Sequence, residues 1–336
     1  MKLSWEPYTL DLRVTWRIAH GSSDQRHNVF AQIGQGEEAG FGEAAGVPHH
    51  HETQEGILAY LESVADRVWD PFQLEDQLNS LPLGSAAARC AIDLALHDAL
   101  GKRLGQPVYR LFGLNPERAP QTSYTISIAE PAVMAERAKA ADMPILKIKL
   151  GATDDKAILT AIRQVHSGRL RVDANAGWDR EQAAAIIPRL AEFGLEFIEQ
   201  PLPVGDIEGL RWLRAKKLGV PIFADENILT SRDVAAHAGA VDGVVIKIAK
   251  TGGLREALRG IHTARALDMQ IMIGSMVETS LAVTAAAHLS PLCDYADLDG
   301  PLMIRNDPFE GMRYDRARLV LPDRPGLGIL RKQVPN

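Results

Sequence analysis

Three acidic residues recur at an even interval in the middle of the chain. Asp173, Glu199 and Asp225 are separated by 26 residues from one to the next, and each comes at or just after the end of a short apolar run. A β-strand, a helix and two short loops occupy about that many residues, so the interval indicates a βα repeat. Charged residues at the ends of successive barrel strands are typical of a catalytic site, because that face of a (β/α) barrel holds the active site.

The chemistry that three such carboxylates support is metal binding. Side chains at the ends of three neighbouring strands converge, and their negative charges repel one another unless a cation lies between them. Hard oxygen ligands without Cys or His favour Mg²⁺, which keeps open positions for water and substrate. We therefore predict that Asp173, Glu199 and Asp225 bind one Mg²⁺ per subunit. The alternative, three unrelated surface acids, does not explain why the three fall in phase.

Three lysines accompany the acids. Lys147 and Lys149 are two residues apart on a predicted strand, so both side chains project to one face, and Lys247 lies four strands further on. A lysine beside a dication is expected to have a lowered pKa, which suits removal of a proton next to a carboxylate. A metal ion on that carboxylate stabilises the enediolate, and bases on both faces would invert the stereocentre. Salt bridges to the neighbouring acids are the structural alternative.

The elements that must position these residues are predicted to be strands alternating with helices. The barrel is predicted to begin with a strand over 122–128, in which Thr125 is a candidate substrate-binding residue. Helical periodicity follows the predicted strand ends, for example over 180–191 and 206–218. Later strands are predicted over 244–248, 271–273 and 295–298.

The first third of the chain has a different pattern. Residues 28–33 and 40–43 flank a glycine-rich turn and predict a β-hairpin. A helix is predicted over 53–68, and a second one from Ser85, as its N-cap, to about Leu104. We therefore expect an α+β region before the barrel.

Two polar stretches, 20–27 and 48–52, are predicted to be loops above the barrel mouth. The second contains His49, His50 and His51, which cannot all point one way on regular secondary structure. A solvated loop is therefore our interpretation of that stretch, rather than a second metal site.

Composition limits the classes of function. A chain of 336 residues suggests about two domains, and 46% hydrophobic with 24% charged residues is typical of a globular protein with a full core. The net charge of −6 argues against a surface for nucleic acid or anionic membrane. Cys90 and Cys293 lack metal spacing, which favours a reducing cytoplasm over a disulfide framework. Neither a signal peptide nor a membrane-spanning run is predicted.

Together these motifs resemble the enolase superfamily, in its muconate-lactonizing-enzyme subgroup. The matching motifs are Lys147-Ile148-Lys149, Asp173-Ala174-Asn175, Glu199-Gln200-Pro201, Asp225-Glu226, Lys247 through Gly252-Gly253, and Ala91 to Asp98 followed by Gly105 to Gly113. The resemblance implies an α/β fold, a modified (β/α)7β TIM barrel with an N-terminal α+β capping domain. We expect the capping domain over residues 1–115, the barrel with the active site over 116–314, and a C-terminal segment, 315–336, that packs back on the capping domain.

The last predicted strand favours one branch of that subgroup. Asp297-Leu298-Asp299 resembles the Asp-x-Asp element of dipeptide epimerases, in which the acids hold the α-ammonium group of the substrate. The segment 274–279 resembles the preceding strand of the same enzymes. It adds Met276 and Glu278 as candidate substrate-binding residues.

The resemblance implies an isomerase, a Mg²⁺-dependent dipeptide epimerase that inverts the α-carbon of the C-terminal residue. Lys149 would take the proton from the L residue and Lys247 from the D residue, while Lys147 polarises the carboxylate. A dipeptide is the expected partner, in a cytoplasmic homo-oligomer, and neither nucleic acid nor membrane is expected.

Other functions share the same lysines and acids. o-Succinylbenzoate synthase, N-succinylamino-acid racemase and muconate-cycloisomerase-like enzymes are the alternatives among enzymes. Asp297 and Asp299 argue against an N-acylated substrate, because it has no ammonium group to pair with them. A catalytically silent barrel that only binds a ligand is the alternative outside enzymes, and Lys149 and Lys247 argue against it.

One position departs from the pattern. L-Ala-D/L-Glu epimerases of this group carry an Arg in the first polar loop that pairs with the substrate glutamate, and Gly21 stands at that place. Arg26 lies nearby and could substitute only if the loop turned it inward, whereas Asp24 and Glu52 could favour a cationic or neutral substrate. We therefore expect a neutral or basic dipeptide to be preferred over L-Ala-L-Glu.

Overall fold

The computed structural model describes residues 1–19, 21–46, 52–151 and 154–332. Its strands are β1 Leu3–Ile18, β2 Gly21–Ile33, β3 Gly40–Ala44, β4 Tyr124–Ile126, β5 Ile145–Lys149, β6 Arg169–Asp173, β7 Leu195–Glu199, β8 Ile222–Ala224, β9 Gly243–Lys247, β10 Gln270–Gly274, β11 Tyr295–Asp297, β12 Phe309–Glu310, β13 Arg313–Asp315, β14 Arg318–Val320 and β15 Leu330–Arg331. Its α-helices are α1 Gln54–Ser63, α2 Leu74–Asn79, α3 Ala86–Arg103, α4 Val108–Leu111, α5 Pro131–Ala141, α6 Asp155–Val165, α7 Arg180–Ala191, α8 Ile207–Ala215, α9 Ser231–Ala236, α10 Ile248–Thr251, α11 Leu254–Ala266 and α12 Ser280–Ala287.

An antiparallel sheet in the order β1-β2-β3 forms the first part of the chain. Strands β2 and β3 pair as predicted, with Ile33 opposite Gly40. The predicted polar loop over 20–27 is wrong for the described part, because β2 already begins at Gly21 and pairs with β1 out to Ile18. Both strands are largely exposed here, so backbone hydrogen bonds hold the hairpin without any alternation of apolar residues.

Helix α3 packs across this sheet and forms the core of the capping region. Its N-cap Ser85 accepts a hydrogen bond from the Ala88 amide, as the sequence predicts. A Cβ atom on Gly42 would lie 1.9 Å from the Ala91 carbonyl oxygen, so only glycine allows this close approach. Helix α1 is shorter than the predicted 53–68, because the chain leaves it to bring the Trp69 amide onto the Met1 carbonyl.

Eight parallel strands, β4 to β11 in sequence order, form the second sheet. The Ser123 amide donates to the Ala296 carbonyl at 3.1 Å, which joins the first strand of this sheet to the last and closes the barrel. Helices follow most of the strands and bury their apolar faces against the outside of the sheet. The predicted α/β barrel with an antiparallel N-terminal sheet is confirmed.

Alternation along each strand separates packing residues from inward-facing ones. On β7, Ile198 belongs to the large core between the sheet and the helices, while Phe197 belongs to a small cluster inside the barrel with Phe223, Val245 and Met272. Glu199 shares the inward direction of Phe197, because the two are two residues apart. The polar site therefore lies directly on a layer of apolar side chains inside the barrel.

Buried carboxylates connect the capping region to the barrel. Glu43 on β3 accepts from the amide and hydroxyl of Thr279, the N-cap of α12. Asp93 on α3 accepts from the Leu254 amide at the start of α11. The Leu327 amide, in the C-terminal segment, donates to Asp98 on α3.

Within the described residues, no helix has the length and apolar character that crossing a membrane requires.

Candidate active site

The predicted acidic triad assembles at the carboxyl ends of three neighbouring strands. Asp173 ends β6, Glu199 ends β7, and Asp225 directly follows β8. One carboxylate oxygen from each lies within 4.8 Å of the others, and all three side chains are buried. Three hard oxygen donors at this spacing, with no sulfur or imidazole ligand among them, fit Mg²⁺.

Lys147 lies at the centre of this group of charges. Its Nζ is 2.8 Å from Glu199 Oε2, 3.1 Å from Asp173 Oδ2 and 2.8 Å from Asp297 Oδ2. The side chain is 1% exposed, so these carboxylates replace the water that the ammonium would otherwise need. Lys147 thus connects two of the triad's acids to the aspartate on the last barrel strand.

Lys149 and Lys247 contact the triad from its two ends. Lys149 Nζ is 2.6 Å from Asp173 Oδ2, and Lys247 Nζ is 2.7 Å from Asp225 Oδ2. Both lysines line the cavity at the barrel mouth. The two lysines therefore reach the triad through different acids, Asp173 and Asp225.

Ionisation in the site follows from burial and from these neighbours. Burial and the Asp173 charge raise the pKa of Glu199 well above its usual range. Burial also opposes ionisation of Asp225, but Lys247 and Lys250 hold its pKa well below the usual value. The lowering of the lysine pKa values is expected beside a dication and stays a prediction; the protein groups alone act in the opposite direction on Lys147 and Lys247. Burial lowers the pKa of each, yet the facing carboxylates raise it further.

Lys250 is a member of the site that sequence reasoning missed. It lies on the short helix α10, three residues after Lys247, and is 3% exposed. Its Nζ is 2.5 Å from Asp225 Oδ1 and also donates to the Asp225 carbonyl oxygen. The only signal in the sequence was its spacing from Lys247, which places it beside the triad only if a helix begins directly after β9.

Asp297 and Asp299 lie together at the end of the last barrel strand, as predicted. Both are 5% exposed and both line the cavity. The Thr125 amide donates to Asp299 Oδ2 at 2.6 Å, and Thr125 itself lines the cavity. Burial and the Asp297 charge raise the pKa of Asp299 to about 7. The pair can therefore take up a cationic group, which would favour the ionised form of Asp299.

The cavity above these residues has a volume of about 430 Å³, and the capping hairpin forms one of its walls. Trp16, on β1, lies with its ring 5.8 Å from Lys149 Nζ. Met276 lines the cavity as predicted, but the structure does not place Glu278 there. Glu278 is buried and accepts from the Met276 amide at 2.8 Å, so its contact with substrate stays a prediction.

Arg26 lies on β2 and lines the cavity, although the segment around it is a strand and not a loop. Burial lowers its pKa, and its guanidinium donates to the Gln25 carbonyl without an ion pair to any carboxylate of the described residues. Asp24 accepts from Thr15, and Glu52 accepts from Ser85 at the start of α3. Neither acid lines this cavity, so neither of them supports a cationic substrate. The histidines at 49–51 lie outside the described residues.

Relatives in other organisms match the chain over nearly its full length. An L-Ala-D/L-Glu epimerase from Bacteroides thetaiotaomicron is 41% identical, over 98% of this chain and 88% of its own. A dipeptide epimerase from Enterococcus faecalis, solved with Mg and the dipeptide L-Leu-L-Tyr, has 30% identity and a TM-score of 0.92, with 98% of both chains covered. The N-succinyl Arg/Lys racemase from Bacillus cereus has 29% identity and a TM-score of 0.92, covering 99% of this chain and 96% of its own.

Family comparisons cover both parts of the fold. Residues 7–113 match the N-terminal domain of the mandelate racemase / muconate lactonizing enzyme family, and residues 131–332 match the enolase C-terminal domain-like family. Curated relatives are epimerases, so the prediction of an isomerase is confirmed. The chain belongs to the mandelate racemase / muconate lactonizing enzyme family of the enolase superfamily.

Proposed function

We propose that the protein is a Mg²⁺-dependent dipeptide epimerase that inverts the α-carbon of the C-terminal residue. The observation that carries this proposal is the combination of two elements in one cavity. A carboxylate triad lies between Lys149 and Lys247, and a second acidic pair, Asp297 and Asp299, lies beside it. The first suits proton transfer next to a carboxylate, and the second suits a free ammonium group.

In this scheme Asp173, Glu199 and Asp225 hold one Mg²⁺ per subunit. When bound, the ion supplies positive charge to the terminal carboxylate of the substrate. Lys147, the buried ammonium group beside the triad, polarises the same carboxylate. These charges make the neighbouring C–H bond more acidic, which a lysine base requires.

Proton transfer is assigned to the two flanking lysines. Lys149 removes the α-proton of an L residue, the bonding electrons move into the carboxylate as an enediolate, and Lys247 delivers a proton to the opposite face. The D residue reacts in reverse, with Lys247 as base and Lys149 as acid. Each lysine must be neutral to act as base, so a positive charge near the triad has to offset the carboxylates that raise the Lys247 pKa.

The acidic pair separates a dipeptide from the N-acylated substrates of related enzymes. The B. cereus N-succinyl racemase has the same fold, so the fold alone does not discriminate. An N-succinyl group would bring a carboxylate or a neutral amide towards Asp297 and Asp299, whereas a dipeptide brings an ammonium group. Two buried acids at this end of the cavity therefore favour the dipeptide.

Arg26 supports an acidic side chain on the substrate's C-terminal residue. A half-buried guanidinium that lines the cavity without an acidic partner among the described residues can pair with a carboxylate. This replaces the expectation of a neutral or basic dipeptide, which relied on Gly21 at the place of the glutamate-pairing Arg and on Asp24 and Glu52. The E. faecalis enzyme was solved with L-Leu-L-Tyr, a dipeptide whose side chains are uncharged, so dipeptides with different side chains bind to enzymes of this fold.

The test is deuterium exchange in heavy water, followed by mass spectrometry. Mg²⁺-loaded protein is incubated with L-Ala-L-Glu, L-Ala-L-Leu, L-Ala-L-Lys and N-succinylated amino acids, with chelator-treated protein as the control. The proposal expects Mg²⁺-dependent exchange at the C-terminal α-carbon of dipeptides, fastest for L-Ala-L-Glu. Exchange only in the N-succinylated compounds would favour the racemase, and exchange in none would favour a silent binding barrel.

A further inference from the structure

Asp297 and Asp299, at the end of the last barrel strand, line the same cavity but have different hydrogen-bond donors. Asp299 receives a hydrogen bond from the Thr125 amide, and its pKa is raised to about 7 by burial and the Asp297 charge. Asp297 has a donor on each oxygen, with Lys147 2.8 Å from Oδ2 and the Ser123 hydroxyl 2.7 Å from Oδ1. Burial opposes ionisation of Asp297, yet these donors hold its pKa below the usual value. Asp297 is the fixed charge of the pair.

The Ser123 hydroxyl is oriented by a cation below it. Arg171 Nη1 donates to Ser123 Oγ at 3.3 Å and to the Ala296 carbonyl at 2.6 Å. That carbonyl already accepts the Ser123 amide, so both of its lone pairs are taken. The hydroxyl proton of Ser123 is thereby directed to Asp297 at 2.7 Å rather than to the Ala296 oxygen at 3.4 Å.

Arg171 is itself held rigidly inside the barrel. It is 1% exposed, and its guanidinium lies 5.6 Å from the Phe197 ring centre and 5.0 Å from that of Tyr295. Its Nε is 2.7 Å from Glu196 Oε2. A planar cation that contacts two aromatic rings and is held by a carboxylate has little freedom to turn. The orientation of the Ser123 hydroxyl is therefore set before substrate arrives.

We propose that Ser123, oriented by Arg171, is a positioning residue that fixes Asp297 for recognition of the substrate's α-ammonium group. Neither residue lines the cavity, so both act through Asp297. This inference rests on the proposed function, because it assigns the ammonium group to Asp297. It predicts an effect on ligands that carry the ammonium group and no effect on otherwise identical ligands without it.

The experiment compares two ligands that have no stereocentre at the reacting carbon. L-Ala-Gly carries the ammonium group, and propionylglycine is the same molecule without it. Their dissociation constants are measured by calorimetry on Mg²⁺-saturated wild type, Ser123→Ala, Ser123→Thr and the control Ser290→Ala. Ser290 is also a buried serine, but its hydroxyl donates to the Ala287 carbonyl away from the cavity. Ser123→Ala keeps the backbone amide that closes the barrel.

For Ser123→Ala we expect about tenfold weaker binding of L-Ala-Gly and unchanged binding of propionylglycine, because one hydrogen bond to a charged group is lost. Ser123→Thr, which keeps the hydroxyl, and Ser290→Ala should bind both ligands as the wild type does. Equal losses for both ligands in Ser123→Ala, or no loss for either, would overturn the inference. A wild type that does not prefer L-Ala-Gly over propionylglycine would instead contradict the proposed function.

Discussion

The cavity has a floor, formed by the acidic triad and the lysines that contact it, and a wall, formed by the capping hairpin of β1 and β2. The two are built in different ways. On the floor, Lys147 is buried and pairs with three carboxylates, those of Asp173, Glu199 and Asp297. On the wall, Trp16 and Arg26 extend from the capping hairpin, and neither side chain forms an ion pair with the described residues. A residue held by many partners cannot change without disturbing the others, whereas a wall residue can. We therefore propose that the floor carries out the reaction and that the wall selects the substrate.

The largest effect is expected from removal of a charge on the floor. Asp225→Asn should weaken Mg²⁺ binding more than about a hundredfold and abolish activity, because one anionic ligand is lost from three. Titration calorimetry with Mg²⁺ measures the affinity, and circular dichroism checks the fold. Asp66→Asn, in the exposed turn after α1, is the matched control. Full activity of Asp225→Asn in the presence of chelator would rule out the metal mechanism.

A smaller and selective effect is expected from the wall. Arg26→Ala should lower kcat/KM for L-Ala-L-Glu about tenfold to a hundredfold, since a charge-assisted pair contributes roughly 1.5–3 kcal/mol. The value for L-Ala-L-Leu should stay within about twofold. Arg17→Ala is the control, because Arg17 lies on the same hairpin, is exposed and does not line the cavity. An equal loss for both dipeptides would mean that Arg26 contributes to the reaction itself and does not select the substrate side chain.

The floor was largely predictable from the sequence, and the wall was not. Asp173, Glu199 and Asp225 recur in phase because each βα unit of a barrel takes a similar number of residues. Residues 21–27 of β2 show no apolar alternation, because none of them is fully buried. Their strand pairing depends on backbone bonds, which leave no trace in the residue types.

Errors within the site have a similar cause. Lys250 reaches Asp225 only because α10 begins directly after β9, and Glu278 does not line the cavity although its carboxylate accepts the Met276 amide. Both outcomes depend on the local course of the backbone after a strand ends. Residue type and spacing indicate which side chains lie near a barrel mouth, but not which way each one turns beyond the strand.

Binding of a ligand with an ammonium group is expected to depend gradually on pH, through the ionisation of Asp299. Asp299, with a pKa raised to about 7, is neutral below that pH and ionised above it. An ammonium group favours the ionised form, so the dissociation constant of L-Ala-Gly should rise up to about tenfold per unit as pH falls below 7. Propionylglycine should show no such dependence, and Asp299→Asn should remove it for L-Ala-Gly. The same slope for both ligands would assign the titration to another group.

Two lysines on opposite sides of the triad are the central claim, and stereospecific exchange tests it most directly. Lys149→Ala and Lys247→Ala are each incubated in heavy water with L-Ala-L-Glu and with L-Ala-D-Glu, and deuterium at the C-terminal α-carbon is followed by mass spectrometry. Neither variant should epimerise. Lys247→Ala should exchange only the L,L dipeptide and Lys149→Ala only the L,D dipeptide, since each keeps the base for one face. Epimerisation at the wild-type rate by either variant would contradict the two-base account.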